Sequence, residues 1–188
     1  MKSTTVAVDL AKSVFQLAGA DTTWRVTEQH RLTRTQLERW FVNRDVTLVI
    51  MEACGSAHHF ARWLNHLGVA VKPLPAAYIS TYVKRNKTDA ADACALLEAA
   101  RCADILPVKI KSNEQQALQG LHRTRSLWMG TRTSRINALR GFCREFGVSV
   151  AAGSRNGIEQ ISRVLADPHS AVPALIRGTM TLLVEEIR

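Results

Sequence analysis

Hydrophobic and polar positions repeat at two periods along the chain, and the switches between them mark the elements. Residues 4–9, Thr-Thr-Val-Ala-Val-Asp, read as a short buried strand that ends in a carboxylate. Residues 15–20 form a second strand, joined to the first by the tight Ala11-Lys12-Ser13 connection. Residues 24–30 alternate weakly, as a third strand at a sheet edge would. Thr33 then caps a helix that runs to Val42, with Leu37, Trp40 and Phe41 at helical spacing. Residues 46–51 are largely apolar, between Asn43-Arg44-Asp45 and Glu52, the pattern of a central strand buried on both faces. Ser56 begins a helix carrying Phe60, Trp63, Leu64 and Leu67 that stops at Gly68. A fifth strand, 69–71, is closed by Pro73 and Pro75.

The second half of the chain is helical. Residues 76–83 are a short helical stretch, followed by the basic run Lys84-Arg85-Asn86-Lys87. Thr88 caps an alanine-rich helix to about residue 102. Residues 105–111 read as a boundary, after which Ser112 caps a helix to about residue 146, long for a globular domain. A loop over 148–156 and a short helix over 158–166 follow. Residues 174–188 are helical to the last position, with neither cap nor breaker, which reads as a fragment. Strands first and strand–helix alternation afterwards predict an α/β fold, a mixed sheet flanked by helices. That domain spans 1–104, with a linker over 105–111 and a helical, coiled-coil-like region over 112–188.

Composition narrows the class. A 188-residue chain with 46% hydrophobic residues and a mean hydropathy of −0.06 can bury a core. It holds no apolar run near the roughly 18–20 residues that span a bilayer, and its N-terminus has no signal-peptide core, so a cytoplasmic, nucleoid-associated location is expected. Cys54, Cys94, Cys102 and Cys143 fall in no zinc-ligand spacing and suit a reducing compartment. Lys and Arg number 25 against 16 Asp and Glu, a net charge of +9, which predicts a polyanionic partner. Between Gln115 and Arg163 every Lys/Arg position is arginine: Arg123, Arg125, Arg132, Arg135, Arg140, Arg144, Arg155 and Arg163. The only acids there are Glu145 and Glu159. Arginine's planar fork suits phosphates and stacked bases.

Four carboxylates carry the candidate chemistry. Asp9 ends the first strand and Glu52 ends the buried fourth, and the carboxyl ends of neighbouring central strands open into one crevice. Asp89 and Asp92, three apart, share one face of a helix's first turn. Converged unpaired carboxylates repel, and a hard divalent cation is the remedy: Mg²⁺, with Mn²⁺ as a substitute, takes oxygen ligands. Two such ions can activate a nucleophile and stabilise a leaving oxygen in phosphoryl transfer. Taken singly, Asp89 and Asp92 also fit as anions at a helix N-terminus, and Asp9 fits as a cap of the turn to Ser13. Glu52 is harder to explain blandly, since an unpaired carboxylate beside a buried strand costs several kcal/mol.

With those residues in view, the chain resembles the insertion-sequence-110 family of transposases, which includes pilin-gene invertase-like proteins and bridge-RNA-guided recombinases. The resemblance rests on Val6-Ala-Val-Asp-Leu-Ala-Lys12, Met51-Glu-Ala-Cys-Gly-Ser56, Tyr82-Val-Lys-Arg-Asn-Lys-Thr-Asp-Ala-Ala-Asp-Ala93, Glu114-Gln-Gln-Ala-Leu118 with Leu121-His-Arg123, and Asn137-Ala-Leu-Arg-Gly141. It implies a RuvC-like, RNase H-type fold whose metal site is Asp9, Glu52, Asp89 and Asp92. It also implies a long helical linker and a C-terminal domain with a serine nucleophile, which this chain does not contain. Ser149, Ser154 and Ser162 match no nucleophile motif. DNA, a structured guide RNA and further copies of the chain are the partners the resemblance implies.

Two further features concern binding. On a helical wheel Leu118, Leu121, Trp128, Met129, Ile136, Leu139, Cys143 and Phe146 share one broad face with Arg125 and Arg132. That stripe reads as an oligomer seam or a nucleic-acid surface, or as ordinary packing with the arginines snorkelling at its rim. Lys84, Arg85 and Lys87 precede the Asp89 helix and suit a phosphate backbone, as do Arg123, Arg125, Arg132 and Arg135. His58 and His59 read as helix-face residues, because Mg²⁺ favours oxygen. Three readings compete: the N-terminal catalytic part of a transposase, a Holliday-junction resolvase-like metal nuclease, and a non-catalytic RNA- or DNA-binding and dimerising module. An actin-like sugar kinase would want glycine after Asp9, where Leu10 stands.

Overall fold

The chain folds into two compact units, Met1–Gln115 and Gln116–Arg188. The computed structural model describes residues 4–42, 44–82 and 89–187, the side chains of Asp89 and Ala90 excepted. Lys84, Arg85 and Lys87, the Thr88 cap and the Asp89 carboxylate therefore lie outside the described residues.

In the first unit, β1 (Thr5–Asp9), β2 (Val14–Ala20) and β3 (Val26–Thr33) form an antiparallel meander. Helix α1 (Arg34–Val42) returns the chain so that β4 (Leu48–Glu52) lies parallel to β1. Helix α2 (Ala57–His66) then brings β5 (Ala70–Leu74) parallel to β4. The sheet order is β3-β2-β1-β4-β5. This is the expected α/β architecture, a mixed sheet flanked by helices.

Strand alternation divides the apolar residues between two layers. Val6, Val8, Phe15, Leu17, Val49 and Met51 face α1 and α2, where they pack with Leu37, Phe41, Phe60 and Leu64. Phe15 and Phe60 meet edge to face, with centroids 5.3 Å apart. On the other side Ala7, Ala18, Ala20 and Ile50 face α4 (Asp89–Ala100), which contributes Ala93, Leu96, Leu97 and Ala99. Alanines on both the sheet and the helix let α4 lie close to β1 and β2. Between β5 and α4 run α3 (Ala76–Ile79) and a 3-10 turn, Ser80–Tyr82.

Two of the predicted polar caps, Thr33 and Ser112, form as reciprocal boxes. Thr33 N donates to Gln36 Oε1 at 2.9 Å while Gln36 N donates to Thr33 Oγ1 at 3.5 Å. Ser112 and Gln115 repeat the exchange at 3.0 and 3.2 Å at the start of α5 (Asn113–Glu145). Ser56 sits at the N-cap of α2 but makes no side-chain cap bond. Gly68, at φ +81°, ends α2: its N–H donates to Asn65 O and that of Val69 to Leu64 O.

Several boundaries differ from the sequence expectation, four of them with a structural lesson. β3 starts at Val26 rather than at residue 24, because Asp21 Oδ1 accepts from the N–H groups of Thr23 and Arg25 and holds a turn with Trp24 at φ +64°. β5 runs through Pro73 to Leu74, which an edge strand allows, and Pro73 O accepts from Val108 N at 2.8 Å. Helix α4 ends at Ala100, two residues short of the expected end. Helix α6 (Ser154–Ala166) begins four residues before the expected Ile158. Gly157 falls inside it, where a side chain would be tightly placed.

The second unit joins the last third of α5 to α6 and α7 (Ala174–Ile187) around Ile136, Leu139, Cys143, Ile158, Ile161, Met180 and Val184. Arg140 Nη2 donates to Ala151 O at 3.0 Å and Gly153 O at 2.7 Å, tying the loop before α6 to α5. A Cβ on Gly157 would stand 3.0 Å from Arg140 Nη2 and 3.2 Å from Ala151 O. Gly157→Ala is accordingly expected to displace that guanidinium and to destabilise this unit by about 1–3 kcal/mol, read as a lower urea midpoint. An unchanged midpoint would show that the guanidinium shifts freely.

Candidate functional site

β1 and β4 are parallel neighbours, and their register pairs Val8 with Met51. The next residue on each strand is Asp9 and Glu52, at the carboxyl ends about 4.8 Å apart across the ladder. Alternation sets both on the face of Ala7 and Ile50, the face that α4 covers. Both side chains are half-buried. Asp92 lies in the first turn of α4, one residue before the buried Ala93. Its Oδ1 is buried and has no hydrogen-bond partner among the described residues.

An orphaned buried carboxylate oxygen costs about 1–3 kcal/mol or more when charged. The donors on this face are carboxylate oxygens, the set a hard divalent cation takes. Among the described residues, however, no three His, Cys, Asp or Glu side chains are gathered into a metal-ligand cluster. Asp9 and Glu52 thus share one face and one end of the sheet, Asp92 lies on the helix that covers that face, and the described residues hold no preassembled cage. Asp89 begins α4, and its carboxylate lies outside the described residues.

The arginine positions divide by environment. Arg123 and Arg125 are exposed on α5, and Arg132 is half-buried. Arg135 is held by Glu186 of α7 at 2.7 Å. The predicted apolar stripe is split. Ile136, Leu139 and Cys143 are buried in the second unit, whereas Leu118, Leu121, Trp128 and Met129 are exposed, Trp128 to 69%. Helix α5 is unbroken over 33 residues. No helix among the described residues is long and apolar enough to cross a membrane. The four cysteines are free thiols.

His58 lies on a face of α2, and that face is buried. It is only 8% exposed, and its Nδ1 accepts from Lys111 N at 3.2 Å. Arg62 Nη1 donates to Lys111 O at 2.6 Å, so α2 grips the segment leading into α5 by both backbone groups of one residue. Nothing in the local pattern marks this role, because its partner lies 53 residues away.

Comparison with known proteins places the chain. A family model for IS110 transposases, described as "Transposase", matches residues 6–147. The chain is 37% identical over its whole length to a "Probable family 20 transposase" of Pseudomonas aeruginosa, covering 56% of that protein. It is 34% identical over 97% of its length to the transposase for insertion sequence element IS1111A of Coxiella burnetii, covering 50% of it. The transposase for insertion sequence element IS1328 of Yersinia enterocolitica is 31% identical over 93% of the chain, with 52% of that protein covered. The chain belongs to the IS110 transposase family, and it spans about half the length of the relatives it matches.

The His58 contact has a pH signature. Burial first, then the charges of Lys111 and Arg62, hold its pKa below the usual 6.5. The folded state therefore takes up its proton less readily than the unfolded state. The contribution of His58 is complete above about pH 6.5 and is lost as pH falls toward the depressed folded value. Denaturant titrations at pH 7.5 and 5.5 should show a larger loss for the unsubstituted chain than for His58→Gln, whose amide oxygen can still accept from Lys111. Equal losses would refute the assignment.

Proposed function

We propose that this chain is the N-terminal catalytic part of a DNA transposase or site-specific recombinase, with Asp9, Glu52, Asp89 and Asp92 as its metal-binding acids. The observation that carries the reading is Asp92 Oδ1, buried and without a partner among the described residues, on the helix that covers the sheet face of Asp9 and Glu52. The sheet order, with an antiparallel meander continued by two parallel strands, supports an RNase H-like, RuvC-like fold. Family membership supports DNA as the substrate.

In this reading the four acids hold Mg²⁺, or Mn²⁺ in its place. The bound ions supply charge neutralisation and an activated oxygen for phosphoryl transfer. The residues themselves do the positioning. Asp9 and Glu52 are fixed by the β1–β4 ladder, and Asp92 by the packing of α4 on the alanine face. Lys84, Arg85 and Lys87, just before α4 in sequence, hold the phosphate backbone in register. Arg123, Arg125 and Arg132 of α5 engage nucleic acid, including a structured guide RNA. Arg135 joins them only if its contact with Glu186 opens. The exposed Leu118, Leu121 and Trp128 belong to a coiled-coil-like seam between copies of the chain. A bacterial cytoplasm, at the nucleoid, is the setting that fits a DNA-recombining protein.

A second reading, a nucleic-acid-binding and dimerising module without chemistry of its own, is favoured by one observation: the described acids are not gathered into a ligand cluster. Calorimetric titration with Mg²⁺ separates the two. The proposed site gives saturable binding that Asp89→Ala and Asp92→Ala abolish while the thermal midpoint holds. Equal heats from both variants would exclude these acids as ligands, and no heat from the unsubstituted chain would favour the module. In a complete transposase, Asp89→Ala is expected to abolish recombination between plasmids.

A further inference from the structure

The strand register extends the acid pair across the sheet. Asp9 on β1 pairs with Gln16 on β2, and Gln16 pairs with Arg31 on β3. Directly paired residues of adjacent strands project from the same face. Glu52, Asp9, Gln16 and Arg31 therefore form one polar row across β4, β1, β2 and β3, on the α4 side. The next row inward is Ile50, Ala7, Ala18 and Gln29. Its first three members are buried in the α4 layer, and Gln29 Nε2 reaches Cys94 Sγ of α4 at 3.1 Å. The row at Asp9 is thus the first that α4 leaves open. Asp9 and Gln16 are half-buried there, and Arg31 is exposed.

The side chains of Gln16 and Arg31 make no hydrogen bond or ion pair among the described residues. An amide with free donors and a guanidinium without a carboxylate, in line with two acids, are matched to a polyanion that crosses the strands. We propose that this row is a track for a DNA strand. Gln16 contacts the sugar–phosphate backbone beside the acids, and Arg31 binds a neighbouring phosphate at the open sheet edge. Arg31 stands two strand spacings, about 10 Å, from Asp9. Its planar fork suits a phosphate better than a lysine would. The proposal deepens the transposase reading and rests on it, since the acids define where the strand is cut.

A charge on an edge strand also serves to block pairing with another sheet. That role would alter self-association and leave DNA affinity untouched, so binding distinguishes the two. The test is fluorescence anisotropy of the whole chain with a labelled single-stranded DNA of mixed sequence, over a range of salt. The control is Arg101→Ala, whose side chain is already paired with Glu98 at 3.0 Å. Arg31→Ala should weaken binding several-fold near about 0.1 M salt and reduce the slope of log affinity against log salt by about 0.7. Gln16→Ala should weaken binding with the slope unchanged, and the control should change neither.

An Arg31→Ala variant matching the unsubstituted chain in both quantities overturns the track. So does a loss seen with RNA but not DNA, or no binding of DNA by the unsubstituted chain at low salt. Mg²⁺ calorimetry on the same samples keeps the two levels apart. Unchanged DNA binding with intact Mg²⁺ binding removes the track alone, whereas absent Mg²⁺ binding removes the acid assignment on which it rests.

Discussion

The parallel pairing of β1 with β4 is the constraint on which the first unit depends. Two residues 43 positions apart, Asp9 and Glu52, become neighbours because Val8 and Met51 are in register. A one-residue slip of β4 against β1 would turn Glu52 to the opposite face, among Phe15, Phe60 and Leu64, and part it from Asp9. The apolar alternation of the strand forbids that slip, since it would also take Val49 and Met51 out of the layer they fill. Burial of the hydrophobic layer therefore fixes the chemistry of the polar end. The crossover helices α1 and α2, with their aromatic cluster, maintain this pairing from one side, and α4 does so from the other.

Much of this was legible before any coordinates. Each strand of the meander and the buried run before Glu52 declared itself by period, and Thr33 and Ser112 declared the starts of their helices as caps. Trp24 sits in a local turn held by the Asp21 side chain, whereas Pro73 in an edge strand and Gly157 inside a helix each answer to a sheet position or a partner distant in sequence, which local pattern cannot see. The same holds at the site. The acids could be named from strand ends and helical spacing, but Gln16 and Arg31 acquire meaning only once β2 and β3 are paired in register. His58 was invisible for the same reason, its partner being the backbone of Lys111.

Helix α5 shows how one sequence pattern can serve two environments. Its apolar stripe is continuous on a wheel, yet the last third is buried by α6 and α7 while Leu118, Leu121 and Trp128 meet solvent. Period alone establishes that the helix has a face, not what covers it. The arginines divide likewise. Arg135 and Arg140 are occupied by Glu186 and by loop carbonyls, whereas Arg123 and Arg125 extend outward. Net charge is thus a poor guide to which cations are available, and their hydrogen-bond partners are a better one.

The alanines between α4 and the sheet have a consequence for how damage to this protein should be interpreted. Ala7, Ala18, Ala93 and Ala99 are fully buried and carry no reactive group. Each nevertheless acts as a spacer that sets how closely α4 lies on the sheet. Enlarging one of them in a close-packed layer would lift the helix rather than compress the side chain. In a mutational scan, variants that disturb the proposed acid site would then map to residues chemically mute, and a survey limited to charged positions would overlook them.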